Sequence, residues 1–365
     1  MKNYLMIIVL TLFLVGSSTF SQDGKELKLD LKNTMNYTYK NLRIYPIIAE
    51  YQYIQRNSKT GNYLNLKEAL EHGKVKISEK IRPRDSNEIN LVPGEMMNRP
   101  NREVEARINP LVRQDTGNIY QQVQIQNYNL SSSGQVNTLV IENLSQDTIF
   151  LMAGDVVKGG KQDRIVGKDV LILPGSKEID LSVFCVEKGR WRVGDDSTHE
   201  FKGYYNVVSN AVRSTVQNDA NQSKVWSKVD EITAQNKAGS TTSTYTALEN
   251  SEEFTKANDE YMKFFENQFD NSSNVVGFIA CTGDTVLGTD IFCNPDLFKK
   301  QYKFLIHSYI TDAITFGKDV KISDSKVIDF MNNAFQKFNQ KLPDETESKL
   351  KFKNKDEQLI HFYMQ

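Results

Sequence analysis

Two short stretches carry the residue types that could do chemistry. Gly154-Asp155-Val156-Val157-Lys158-Gly159-Gly160-Lys161-Gln162-Asp163-Arg164 mixes glycines, acids and cations beside strand-like runs, and Cys185-Val186-Glu187-Lys188-Gly189-Arg190-Trp191 repeats the mixture further on. Glycines let a backbone approach a ligand closely, and Lys161 with Arg164 could clamp an anion from one loop. A nucleotide-triphosphatase loop does not fit. Counted from Gly154, its spacing reaches Gly159-Gly160, so Lys161 falls one position late and Gln162 stands where a magnesium-ligating hydroxyl is needed. The chain after this stretch is strand-like, without the helix N-terminus that would receive phosphate. The plainer alternative makes the glycines turn and bulge residues, with Lys161, Asp163 and Arg164 paired internally or facing water.

In the second stretch, strand alternation puts Val183, Cys185 and Glu187 on one face. A carboxylate continuing an apolar face is either at a rim or buried with a partner. Arg190 is the natural partner, and Trp191 can stack on a guanidinium or on a flat ligand ring. Two readings stand: a ligand site using Lys161, Gln162, Arg164, Arg190 and Trp191, or a Glu187–Arg190 lock with the tryptophan packed beneath. Asp155, Asp163 and Glu187 are the acid/base candidates for any catalysis. Cys185 would need a base to act as a nucleophile, and no spacing singles out one of His72, His199, His307 and His361, so an inert, packed thiol is expected. No metal-ligand spacing and no serine-hydrolase elbow occurs, so neither a metal nor a cofactor is expected. Asp312 and Asp319 are too far apart for one helical face and are expected in water.

Those residues need elements to position them. Asn36–Glu50, Val75–Ser78, Ile119–Tyr128, Asn137–Asn143, Thr148–Ala153, Asp169–Leu173 and Ile179–Glu187 read as strands spaced for a sandwich or barrel. A short helix over Leu64–Gly73 closes on its glycine. From Asn206 the spacing turns helical: Val207, Val208, Ala211, Val212 and Val216, then Val225, Val229 and Ile232, then a helix opening at Ser251. Val275–Phe292 is a hairpin turning at Gly283-Asp284, Pro295 opens a long helix, Ser323–Asn339 is another, and Leu350–Tyr363 is a terminal hairpin. The fold class is α+β, with a β-rich N-terminal half (22–205, sandwich- or barrel-like) and a mixed helical C-terminal half (206–365) containing a hairpin, as two domains or one continuous body. Arg84–Asn118 lacks periodicity and reads as a long surface excursion.

Lys2, the apolar run Leu5–Val15 and Thr19-Phe20-Ser21 read as a signal peptide over residues 1–21, cut before Gln22. The run is short of the roughly 20 residues a bilayer span needs. The expectation is export, periplasmic or secreted, without stable membrane insertion. The 45 basic and 46 acidic residues lack the excess a nucleic-acid binder needs. Three cysteines are an odd count. In the hairpin register Cys281 opposes Val286, and Cys281 and Cys293 face opposite sides, so three free, buried thiols are expected.

The run Thr148–Arg192, with Gly154-Asp155, Gly160–Arg164, Leu173-Pro174-Gly175-Ser176 and Cys185–Trp191, resembles the ADP-ribosylglycohydrolase and rhodanese-phosphatase associated protein domain family. Tyr63–Leu70 is similar to its early helix, Val225–Val229 to its central helix, and Val276–Phe292 to its late hairpin. The resemblance spans about Asn62 to about Phe316. It implies, by association, a link to ADP-ribose or nucleotide-derived ligands and no defined reaction. The export signal and the 84–118 excursion depart from the family pattern. The leading expectation is an exported module that binds a small anionic, nucleotide-like or ADP-ribose-like molecule. The alternatives are a hydrolase acting on a phosphorylated or nucleotide-derived substrate, and an envelope assembly scaffold using the excursion as an arm. Oligomeric state is left open.

Overall fold

The structure is a computed structural model that describes residues 26–81, 134–187, 199–240 and 243–365. The signal segment, the 84–118 excursion, the 119–128 strand, and Lys188, Arg190 and Trp191 lie outside the described residues. The chain falls into two compact units. One takes residues through Asn62, Lys263–Lys303 and Phe316–Gln365; the other takes Tyr63–Met262 and Phe304–Thr315.

The first unit begins with β1 (Leu27–Leu29), β2 (Thr38–Tyr39), β3 (Leu42–Ala49) and helix α1 (Tyr51–Arg56). The second unit continues the chain with β4 (Leu64–Asn65), α2 (Leu66–Glu71), β5 (Val75–Ile81), β6 (Gly134–Asn143), β7 (Ile149–Leu151), β8 (Asp155–Gly159), β9 (Arg164–Val166), β10 (Val170–Ile172), β11 (Ile179–Cys185) and β12 (Glu200–Val207). Helix α3 (Asn210–Ser214) then runs into a π-helical turn, Thr215–Asp219, and on to α4 (Gln222–Gln235) and α5 (Glu252–Phe265). The hairpin β13 (Val275–Thr282) and β14 (Thr285–Phe292), the long α6 (Pro295–Phe316), α7 (Asp324–Asn339), α8 (Asp344–Leu350), β15 (Lys351–Lys353) and β16 (Leu359–Met364) complete the chain. The α+β class holds: a β-rich N-terminal half that includes a closed barrel, with helices concentrated in the C-terminal half.

In the first unit an antiparallel sheet runs β1-β3-β13-β14-β16-β15, with β2 added to β3. One face, with Tyr45, Ile47, Ile279, Ile291 and Phe362, packs on Val327, Met331 and Ala334 of α7. On the other face Phe278 and Phe292 meet Phe298 and Tyr302 at the start of α6. The hairpin turns on Gly283 (φ 55°), and Cys281 opposes Val286, the register its sequence implies. Gly277 is obligatory there, because a Cβ would sit 2.1 Å from the Asp290 carbonyl oxygen. Cys185, Cys281 and Cys293 are buried and form no disulfide. Burial pushes the Cys281 and Cys293 thiols up to about 12, so neither is a ready thiolate.

In the second unit β11-β6-β5-β12-β8-β9 close into a barrel, accompanied by a small sheet, β10-β7-β4. Helix α2 starts at a capping box: Asn65 Oδ1 accepts from the Glu68 N–H at 2.8 Å and Glu68 Oε2 from the Asn65 N–H at 3.1 Å. Inward columns of Val75 and Ile77, Leu139 and Ile141, Val157, Val166, Leu181 and Val183, and Phe201 share one apolar core. The apolar spacing predicts a helix from Asn206. Instead Val207 ends β12, opposite Asp155, and α3 begins only after Ser209, whose hydroxyl caps the Val212 N–H. Val207 and Val208 fit a helical spacing, but their backbones belong to the barrel: Val208 N–H donates to the Gly154 carbonyl.

Asn143 ties the barrel to the small sheet. Its side-chain amide donates to the carbonyls of Asp147 (2.7 Å), Ile172 (3.0 Å) and Leu173 (3.1 Å), and its Oδ1 accepts from the Ser145 N–H (3.0 Å). Replacing Asn143 by alanine leaves these buried groups unmet, an expected loss of about 1–3 kcal/mol. Urea titration should show a lower midpoint with an unchanged slope.

Candidate functional site

One end of the barrel carries a polar layer. Continuing each inward column by two residues gives Glu79 after Ile77, Arg164 before Val166, and Cys185 after Val183. Glu79 is 4% exposed, Arg164 and Cys185 0%. Arg164 Nη2 lies 3.7 Å from Glu79 Oε1, an ion pair too long to be a hydrogen bond. Glu79 Oε1 instead accepts from the Lys161 N–H at 3.1 Å. Arg164 Nη1 donates to the Gln162 carbonyl (2.8 Å), Gln162 Oε1 (3.3 Å) and the Asp163 carbonyl (3.4 Å). The guanidinium therefore fastens the turn between β8 and β9 from below. Gly160 (φ 51°) makes that approach possible, since a Cβ would lie 2.6 Å from the Phe201 ring and 2.9 Å from Glu79 Oε1.

The same turn meets the end of β11. Gln162 Nε2 donates to the Glu187 carbonyl at 3.2 Å, and the Val186 N–H donates to the Asp163 carbonyl at 3.4 Å. Asp163 Oδ1 accepts from the Gly159 N–H (3.1 Å) and Oδ2 from the Thr246 hydroxyl (3.4 Å). Glu187 is 2% exposed and bridges to Thr244. On the α4 side, the Gln222 carboxamide pairs with the Cys185 backbone as a strand would, accepting from its N–H at 2.8 Å and donating to its carbonyl at 2.9 Å. Burial raises the Cys185 thiol, opposed by the Arg164 charge and reinforced by the charges of Glu79 and Glu187.

So the structure brings together Gln162, Asp163, Arg164 and Glu187, with Lys161 half-exposed above them. Arg164 is enclosed rather than presented on a surface loop. Asp155 stands apart, at the far end of β8. Its Oδ2 accepts from the Met152 N–H (2.8 Å) and its Oδ1 from the Tyr204 hydroxyl (2.9 Å).

The same unit holds a second buried polar group that the sequence did not reveal. Asp312, expected in water, is 3% exposed, and Asp319 is exposed. The signal was present: Asp312 is the sole acid or base between Phe304 and Phe316 apart from His307, and a helix so apolar all round is a buried one. Asp312 Oδ2 accepts from the Ala211 N–H at 3.0 Å, and the Tyr245 hydroxyl accepts from the Ser209 N–H at 2.7 Å, so these side chains complete the start of α3. Desolvation raises both Asp155 and Asp312 to about 7 despite those hydrogen bonds. Desolvation lowers His307, a neighbour of Tyr205 (ring centroids 6.2 Å apart), to about 4.

An open groove of about 350 Å³ lies on the same unit, lined by Thr215, Asp219, Ser223, Lys224, Ser227, Lys228 and Glu231. Lys224 is paired with Asp219 (2.8 Å) and Lys228 with Glu231 (2.6 Å), so its charges are already matched.

The two raised carboxylates contribute stability that is complete below about pH 4 and lost as pH rises through 7; the lowered imidazole contributes stability present above 6.5 and lost as pH falls through 4. With Asp312→Asn, the Asp312 part disappears. The variant should therefore gain on the wild type by about 1.4 kcal/mol per pH unit from pH 5 to 7, measured by urea unfolding at each pH. A pH-independent difference would show that Asp312 is ionised throughout.

No curated protein and no solved structure matches the sequence. A family match does exist and reaches from residue 30 to residue 360, beyond the 62–316 span of the motifs above, taking in strands of both units and the whole barrel-end layer. The chain belongs to the family described as the ARG and Rhodanese-Phosphatase-superfamily-associated Protein domain.

Proposed function

We propose that this chain is a binding module for a small anionic, nucleotide-like molecule, held at the polar end of the barrel. The observation that carries the reading is the joining of the β8–β9 turn to the end of β11 through Gln162 and Asp163, with a cation, Lys161, half-exposed on top. Lys161 meets the anionic group. Beneath it the turn is held in shape by Arg164, which donates to the Gln162 and Asp163 carbonyls, and by Asp163, which accepts from the Gly159 N–H. Lys158, on the same hairpin, lies over the Tyr205 ring at 5.7 Å and is paired with Glu249 at 3.1 Å, so its charge is already matched. Glycines 159 and 160 bring backbone close to whatever the turn contacts. Family membership supports a nucleotide-derived ligand by association alone.

Lys161→Ala removes the half-exposed cation and leaves the Lys161 N–H bond to Glu79 in place. Calorimetric titration with ADP-ribose, nucleoside monophosphates and inorganic phosphate should show affinity falling about fivefold to twentyfold, with an unchanged melting temperature. Unchanged affinity would remove Lys161 from the site. Loss of the fold would make the turn purely structural.

The module is also proposed to be exported. Lys2, the apolar run Leu5–Val15 and the small residues before Gln22 support this, and no described helix is long and apolar enough to cross a membrane. Mass spectrometry of the protein from its native host should find a mature N-terminus at Gln22; a retained Met1 would overturn the assignment.

A further inference from the structure

The polar layer closes one end of the barrel. At the other end the apolar core reaches the surface. Ile179 opens β11 and continues the inward column of Leu181 and Val183, yet it is 39% exposed where those two are buried. Leu173 follows the buried Ile172 and is 48% exposed, and Leu144 is 59% exposed. They are three of the six large apolar side chains exposed among the described residues, and Asn143 places them together. Leu144 is its chain neighbour. Its side-chain amide donates to the Leu173 carbonyl at 3.1 Å, its N–H donates to the Ser176 carbonyl at 2.8 Å, and Ile179 pairs with Ile141 two residues before it. Single exposed leucines are ordinary, but a contiguous patch that prolongs a core marks a surface for a partner.

The rim of the patch selects the partner. The Leu144 N–H donates to the carbonyl of Lys74, whose ammonium is paired with Asp147 at 2.8 Å. Beside Ile179, Lys177 and Glu178 are exposed and have no ion-pair partner among the described residues. These four charges balance. A lipid surface or a polyanion requires an excess of cations, and a basic partner an excess of acids. A rim whose unmatched acid and unmatched base are chain neighbours is complementary to itself. Across a two-fold axis the Lys177 of one copy meets the Glu178 of the other, twice over. A net charge of −1 opposes that approach little.

We propose that this end of the barrel is a two-fold contact between copies of this chain, with Leu144, Leu173 and Ile179 at its centre and Lys177 and Glu178 paired across it. Side chains make the contact, because Asn143 already takes the Ile172 and Leu173 carbonyls at that end of β10. The apolar area, on the order of a few hundred Å² per copy, falls short of the roughly 800 Å² per partner of a standard interface, so the dimer is weak. Ile179 and Cys185 are the two ends of β11, so the contact lies away from the polar layer and is independent of the binding function proposed above.

Sedimentation equilibrium of the full chain, as its host processes it, should show the mass rising from one copy towards two between about 1 and 500 μM, with a dissociation constant of roughly 10–100 μM. Leu173→Glu sets a charge against its own copy in the apolar centre and should raise that constant about tenfold or more, with an unchanged melting temperature. If that variant does not fold, Leu144→Glu makes the same test. Ile328→Glu, at an exposed apolar residue of the first unit, should leave the constant unchanged. Lys177→Glu should weaken the dimer about threefold to tenfold, and adding Glu178→Lys to it should restore the wild-type constant. A wild type that stays monomeric at the highest concentration overturns the proposal and gives the patch to a different protein or a lipid surface. Dimerisation undiminished in both Leu173→Glu and Leu144→Glu overturns it by moving the interface elsewhere. A double charge exchange that fails to restore association overturns the two-fold arrangement.

Discussion

The barrel end depends on one buried guanidinium. Arg164 sits at the end of an apolar column, where a charge is tolerated only beside a partner and within hydrogen bonds. Glu79 supplies the partner, and the carbonyls of Gln162 and Asp163 supply the bonds. Removing either member of such a pair typically costs about 3–5 kcal/mol, because the survivor is left buried and unpaired. The pair is therefore weak evidence of stabilisation and strong evidence of constraint. It fixes the path of the β8–β9 turn, and through that turn the positions of Gln162, Asp163 and the Lys161 backbone.

The second polar group in the same unit works differently. Around Ser209–Arg213 the requirement is to close the start of a short helix in an apolar interior, and Asp312, Tyr245 and the Ser209 hydroxyl meet it. Its carboxylates keep their protons to near neutrality, whereas the barrel-end layer is held by an ion pair. The first unit uses a third arrangement: His361 Nε2 and Asp290 Oδ1 meet at 2.9 Å within the sheet, with the imidazole stacked on Phe292 at 4.4 Å. Each of these buried groups is thus matched to a neighbour from a different strand or helix, as burial without water demands.

Much of the fold was legible in the sequence. The β13–β14 hairpin, its turn and the Cys281 register follow from alternation around Gly283-Asp284, and α7 opens at Ser323 as its capping chemistry implies. Strands β8 and β12 were not legible. The glycines and charges of β8 read as a turn, and β12 carries two register shifts that break its alternation. At the site, the meeting of the glycine turn with the β11 end could be anticipated from residue types. The enclosure of Arg164 could not, because its counter-ion lies on β5, in a distant part of the chain, and only strand pairing makes the two neighbours. Asp312 was misplaced for the converse reason: its charge was weighed more heavily than the apolar helix around it.

The sheet of the first unit joins segments far apart in the sequence, Leu27–Ala49 and Val275–Met364. Strand β3 pairs with β13, and β14 with β16, so the N-terminal strands wait for partners from the last quarter of the chain. During translation those strands emerge before the barrel and keep an unpaired, largely apolar edge while it is being made. Most of the second unit can assemble in the interval, lacking only the Phe304–Thr315 stretch of α6. The order of ribosomal delivery therefore reverses the order of completion: β1–β3 appear before the barrel and are secured after it.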